Sequence, residues 1–275
     1  MKKAKVLYVS QEIVPFLPET PISTLSRQLP QKANESGREI RVFMPRYGSI
    51  NERRHQLHEV IRLSGMNLII NDTDHPLIIK VASIPAARMQ VYFIDNEEYF
   101  QRKFTFQDKD GKFFEDNDER SMFFCKGVLE TVKKLGWTPD IIHCHGWMTA
   151  AMPLYLKKMY FDDPHFIDTK VVYSAYDADM NEPLDKDVIN KFAFDGVDKA
   201  ELEALKTPNI ESLNKIAAKY ADGVIRGSEK YEAGFEKFLK GLEKPVLAYQ
   251  KEDNYFDAYN EFYDNILEEN TVLAQ

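Results

Sequence analysis

The chain has 275 residues, 44% hydrophobic and 29% charged, the balance of a globular α/β-sized protein rather than a disordered or fibrous one. Its 36 basic residues against 44 acidic ones give a net charge of −8, which argues against nucleic acid as a main partner. No apolar run approaches the roughly 18–20 residues of a membrane span, and the N-terminal "MKKAKVLYVSQE" is too short in its apolar part for a signal sequence.

The chain order opens with "KVLYVS" (5–10), a β-branched apolar run typical of a buried parallel strand. "TPISTLSRQLPQKANESG" (20–37) reads as a helix with Ile22, Leu25 and Leu29 on one stripe. Pro30 is expected to disturb it and Gly37 to cap its end. "REIRVFMPRYG" (38–48) is a second strand, so the opening is a βαβ unit with a parallel sheet as the expectation. Residues 51–95 alternate apolar and polar side chains and predict an antiparallel excursion ending in a strand at 89–95. Residues 96–117, aromatic and charged without a period, predict a long surface loop.

Alternation of helix and strand resumes at 118. "DERSMFFCKGVLETVKKLGW" predicts a helix whose N-terminal end is favoured by Asp118 and Glu119. "DIIHC", "TKVVYSAY" and "DGVIRGS" predict strands, with a helix at 147–160 containing Pro153 in its first turns. Charged helical pieces fill 177–210, and helices follow at 210–221 and 229–242. "KPVLAYQ" predicts a last short strand. In "NYFDAYNEFYDNILEE" (254–269), Phe256, Tyr259, Tyr263 and Ile266 recur at helical spacing. The two cysteines, Cys125 and Cys144, suggest no disulfide framework and point to a reducing cytoplasm.

Three potential ligands stand in a row at His143-Cys144-His145. On a strand the two histidines share a face and Cys144 points away, which leaves too few ligands for a zinc site. A satisfied histidine pair at a strand end is the bland reading. Ligand binding beyond the carboxyl ends of the strands fits the geometry better. "DNDER" (116–120) offers carboxylates beside Arg120. A solvated helix start with an ion pair is the expectation there, ahead of a catalytic carboxylate pair. No phosphate-binding glycine motif appears. The first loop, "SQEIVPFLPETPIS", carries three prolines without N–H donors and the carboxylates Glu12 and Glu19. No cofactor is implied.

Several segments in order carry a resemblance: "KVLYVSQEIVPF", "RVFMPRYG", "VYFIDNEEYFQR", "DNDERSMFF", "GWTPDIIHCHGWMTAAMPLYLK", "YADGVIRGSEKY" and "DAYNEFYDNIL". Nearly the whole chain resembles the N-terminal half of bacterial glycogen or starch synthases, glycosyltransferases of the GT-B type. "RVFMPRYG" and "PDIIHCHGWMTAAMPLYL" are the specific parts. The resemblance implies an α/β fold with a Rossmann-like parallel sheet flanked by helices. It also implies a single N-terminal-type domain over 1–275, with the antiparallel excursion and a terminal helix at 254–269 packing back on it. The family's second domain binds most of the nucleotide, and a chain of this length is expected to lack it.

The same resemblance places His145, Trp147, Glu12, Tyr99, Arg102, Asp116, Asn117 and Arg120 as substrate-binding candidates, with no confident catalytic residue and no metal. The departures are specific. The family's first loop reads E-x-x-P-x-x-K-x-G-G-L; Glu12 and Pro15 match, but the lysine falls at Pro18 and the glycines at Thr20 and Pro21. H-x-H-D-W-H becomes His143, Cys144, His145, Gly146, Trp147 and Met148, and T-I-H-N puts Tyr176 and Asp177 where histidine and asparagine stand. The expectation is a glycogen synthase-like protein that does not catalyse alone but acts as an accessory, regulatory or glucan-binding protein. The alternatives are an ADP- or UDP-glucose transferase completed by a partner chain, and a structural interaction domain. Glucan or a protein of glycogen metabolism is the expected partner.

Overall fold

The computed structural model describes residues 4–251 and 254–273. Its strands are β1 (Val6–Ser10), β2 (Ile40–Pro45), β3 (His58–Glu59), β4 (Met66–Ile70) and β5 (Thr73–Ile84). They continue with β6 (Met89–Asp95), β7 (Ile141–His145), β8 (Lys170–Ala175), β9 (Gly223–Arg226) and β10 (Val246–Leu247). The α-helices are α1 (Pro21–Glu35), α2 (Glu52–His55), α3 (Glu97–Phe100), α4 (Asn117–Lys134) and α5 (Ala151–Lys158). After them come α6 (Val188–Phe194), α7 (Ile210–Tyr220), α8 (Ala233–Lys240) and α9 (Tyr255–Leu273).

The strands form one sheet in the order β10-β9-β8-β7-β1-β2-β6-β5-β3, with β4 off this path on β5. From β10 to β6 every pairing is parallel; β5, β3 and β4 are the antiparallel excursion expected from the alternating pattern. The central β1 and β7 are buried at every position, which is why they read as unbroken apolar runs while β4 and β5 alternate. The chain is therefore α/β, with a mixed, mainly parallel sheet flanked by helices.

Three local expectations are corrected. Helix α1 runs through Pro30 to Glu35. The ring is buried, and packing of this helix on β1 and β2 outweighs the missing hydrogen bond. Residues 96–117 are not a surface loop throughout: Asn96 caps α3 by accepting from Glu98 N and Tyr99 N at 3.0 and 3.1 Å, and Tyr99, Phe100 and Phe113 are buried. Third, 116–120 is not a solvated helix start, because Asn117, Asp118 and Arg120 are buried.

Helix α9 lies against the sheet. Tyr255, Tyr259, Phe262, Tyr263 and Ile266 are buried in the common core. The approach is close: a Cβ added to Gly223 of β9 would meet Ile266 Cδ1 at 2.2 Å and the Phe262 ring at 2.8 Å. Glycine at that position lets the helix sit directly on the strand.

Candidate functional site: the carboxyl edge of the sheet

Parallel pairing brings the ends of β1, β7, β8 and β9 to one edge. Ser10, His145 and Ser174 lie in register across it, and Glu12, Tyr176 and Gly227 follow directly. The N-terminus of α1 reaches the same edge. This is where open α/β sheets bind ligands.

His143 and His145 do share a face, with ring centroids 3.9 Å apart. His143 is a core residue: Nδ1 bonds the Tyr263 hydroxyl of α9 at 2.5 Å and Nε2 bonds Ser174 Oγ at 2.7 Å. His145 is fully buried; its Nδ1 lies 3.1 Å from the Tyr176 hydroxyl, and its Nε2 finds no partner among the described residues. Burial pushes the His145 imidazole down to about 3. It holds His143 well below the ordinary value too, with His145 as the second cause. Both rings are neutral at physiological pH.

His145 is buried between the His143 ring and Tyr176. Tyr176 covers it, and the tyrosine ring fits because residue 227 is glycine, whose added Cβ would lie 2.6 Å from Ala175 O and from the ring. Gln11 lies over the following residue: a Cβ at Gly146 would meet Gln11 Oε1 at 2.1 Å, and Gly146 has φ +85°. The space a side chain at residue 146 would take is thus filled by a glutamine from the first loop.

That loop satisfies its own donors. Thr20 Oγ1 accepts from Ser23 N at 3.0 Å, and Thr20 N donates to Ser23 Oγ at 2.8 Å, a reciprocal capping box. Pro21 has no N–H to offer. The Thr20 hydroxyl donates to the Glu12 carboxylate, whose pKa burial raises and this hydrogen bond lowers in part. A helix N-terminus that could cradle an anion is therefore capped from within, with a carboxyl group beside it.

Trp147 is buried, donates from Nε1 to Asp179 Oδ2 at 3.0 Å, and packs on Phe106 and Phe113 with centroids at 4.9 and 5.4 Å. In front of this aromatic group lies a cleft of about 320 Å³ lined by Glu12, Thr20, Phe104, Phe106, Gln107 and Asp179, among others. A second cleft of about 350 Å³ shares Thr20 and is lined by Tyr176, Tyr249, Tyr255, Tyr259, Thr24 and Gln28.

The remaining candidates form a separate, internally bonded group. Arg102 grips Asp116, with NH1 to Oδ1 at 2.7 Å. Arg120 is fully buried, donating to Tyr99 O at 2.7 Å and Asn117 Oδ1 at 2.5 Å, and burial lowers its pKa to about 10. Tyr99 donates to Glu119 Oε2 at 2.9 Å and sits 3.0 Å from His75 Nε2. Asn117 Nδ2 donates to Phe106 O at 2.8 Å, which braces the aromatic wall of the first cleft. His145, Trp147 and Glu12 thus gather at the sheet edge, while Tyr99, Asn117 and Arg120 lie beneath the adjoining loop. Gln11 and Asp179 have no signal in the sequence, because both meet the site through tertiary contacts.

The architecture is an α/β domain with a mixed, mainly parallel sheet, and comparison with solved structures agrees on the fold. The catalytic domain of starch synthase IV from Arabidopsis thaliana, solved with ADP and acarbose, superposes with a TM-score of 0.69 at 16% identity, over 90% of this chain and 51% of that one. The family model for the starch synthase catalytic domain matches residues 5–245, and the chain belongs to that family. Glycogen synthase of Chlorobium limicola is 37% identical over 240 residues, covering 84% of this chain and 49% of that protein. Glycogen synthase of Chlorobium luteolum is 42% identical over 175 residues, 63% of this chain and 36% of its own. The chain spans about half the length of the curated relatives it matches.

Proposed function

We propose that this domain serves glycogen metabolism as a glucan-facing, accessory or regulatory unit and does not itself hold a nucleotide-sugar donor. The observation that carries the reading is the full burial of His145, with Tyr176 on its Nδ1. An imidazole that meets a sugar must reach the solvent side, and this one is fully buried. The self-capped α1 terminus beside Glu12 adds to it, since stabilising a leaving diphosphate needs free donors and positive charge. The two clefts suit a glucan better: aromatic faces for the apolar side of a pyranose, with carboxylate, amide and hydroxyl groups for its hydroxyls.

Labelled glucose incorporation from ADP-glucose and UDP-glucose into glycogen, alongside calorimetric titration with maltohexaose, tests the proposal. Maltohexaose binding without incorporation supports it. Incorporation by the purified chain overturns it, and absence of glucan binding removes the glucan-facing part. A second reading, a transferase completed by a separate nucleotide-binding chain, is favoured by Phe104 and Tyr249, each 40% exposed on the cleft rims. Incorporation that appears only on adding cell lysate would select it. The free, buried Cys125 and Cys144 accord with a reducing cytoplasm as the setting. Among the described residues no helix is long and apolar enough to cross a membrane.

A further inference from the structure

At the opposite end of the sheet from His145, the amino ends of β2 and β6 and the last turn of α1 enclose a cleft of about 360 Å³. Asn34, Glu39, Arg41, Arg88, Gln90 and Tyr92 line it. In a chain of net charge −8, two arginines converging on one concavity are unusual. We propose that this cleft binds a small organic phosphate, gripped by Arg41 and Arg88 and held through its hydroxyls by Asn34, Gln90 and Tyr92. The proposal is independent of the reading of the carboxyl edge.

Arg88 sits in the left-handed region, φ +48°, where a side chain costs energy that glycine avoids. The turn is held there by Arg88 N donating to Pro85 O at 3.1 Å and by Asn34 Nδ2 donating to Arg88 O at 3.3 Å. Strain kept at an exposed arginine, with no ion pair engaging it among the described residues, points to a use for the side chain.

Arg41 is fixed differently. Its guanidinium lies 5.3 Å from the Trp137 ring centroid, NH1 donates to Ile40 O at 2.8 Å, and Nε has no partner among the described residues. The pinned, planar fork suits phosphate oxygens. Glu39 is the opposing charge in the lining. Its carboxylate is engaged by Trp137 Nε1 at 2.5 Å and lies 3.9 Å from Lys5 Nζ and 3.8 Å from Arg41 NH2, which offsets its repulsion of an anion. The volume lies at the small end of the range for metabolite sites, too small for a folded partner.

The test is calorimetric titration of the full chain with ribose 5-phosphate at low ionic strength, with ribose and inorganic phosphate as separate arms. The phosphate ester is expected to bind and ribose not. Arg41→Gln and Arg88→Gly are each expected to weaken binding at least about tenfold, the worth of a charged hydrogen bond. Arg88→Gly separates binding from folding, because glycine relieves the left-handed strain: its thermal midpoint is expected to hold or rise while affinity falls. No binding of the ester, equal binding of ribose, equal binding of inorganic phosphate, or unchanged affinity in Arg88→Gly would each overturn the proposal.

Discussion

Truncating Tyr176 to alanine is expected to return His145 to an ordinary titration. In the intact protein burial pushes that imidazole from 6.5 to about 3. At 1.36 kcal/mol per pH unit the gap corresponds to about 5 kcal/mol of desolvation cost for the protonated ring. The sign follows from proton counting. Between pH 6.5 and about 3 the unfolded chain binds a proton at this histidine and the native state does not, so stability falls as pH falls through that window. Removing the phenol ring opens the face of His145 toward the cleft that Tyr176 lines and deletes the 3.1 Å contact to Nδ1. Water then solvates the imidazolium, and the midpoint is expected to climb above about 5, toward the solvated value of about 6.5. Histidine ring NMR across a pH titration reads this directly, with His143 as an internal control that stays low behind Tyr263. The variant is also expected to lose about 2–4 kcal/mol at neutral pH from the lost ring. If His145 in a folded Tyr176→Ala variant still titrates near 3, Tyr176 is not what seals it, and the closure assigned to this tyrosine is wrong.

Tyr263→Phe is expected to cost about 1–3 kcal/mol by leaving His143 Nδ1 buried without its 2.5 Å partner, seen as a lower urea midpoint with an unchanged slope. Gly146→Asp is expected to destabilise by about 2–4 kcal/mol, because the new side chain meets Gln11 at a left-handed backbone position. A stable variant with a normal melting curve would refute that packing. Burial raises Asp118 to about 6 against the opposing pull of Lys191 at 2.9 Å. A raised carboxyl contributes stability that is full below pH 3.8 and lost as pH rises through about 6. Asp118→Asn is therefore expected to gain on the wild type as pH rises from 4 to 7. The difference between the two urea curves isolates this group from the histidines. A flat difference would refute the raised value.

The layout of the sheet was legible because parallel burial writes itself into runs such as "KVLYVS" and "DIIHC", and the half-buried excursion into alternation. Helix α9 was legible from Tyr259, Tyr263 and Ile266, which it buries together with Tyr255 and Phe262, while Phe256 is only half-buried. What periodicity could not carry were contacts between distant segments. Lys191 of α6 pairs with Asp118 at 2.9 Å, Glu119 at 2.8 Å and Asp185 at 2.8 Å, which makes a charged helix start a buried one. Lys126 of α4 bonds Ile69 O at 2.8 Å and Asp195 at 2.6 Å, tying β4 to the end of α6. The pattern of 96–117 hid α3 because four residues are too few for a helical period, and only Asn96 marked the start.

The side chains at the carboxyl edge are mutually accommodating. The Tyr176 ring packs against Gly227, where a Cβ would meet both the ring and the backbone Ala175 O at 2.6 Å. Gln11 Oε1 fills the space beside Gly146, whose φ of +85° itself favours glycine. Thr20 and Ser23 close the α1 terminus that Pro21 begins. Each of these side chains has a partner that makes room for it or satisfies it, so the carboxyl edge is packed as part of the fold. Changing one of these residues at a time therefore disturbs the packing of its partner. The pairs Tyr176 with Gly227 and Gln11 with Gly146 are the units to exchange, and double-mutant cycles within each pair are expected to be non-additive by more than about 1 kcal/mol. Additive effects within both pairs would mean that these positions act independently and that the edge is not packed as a unit.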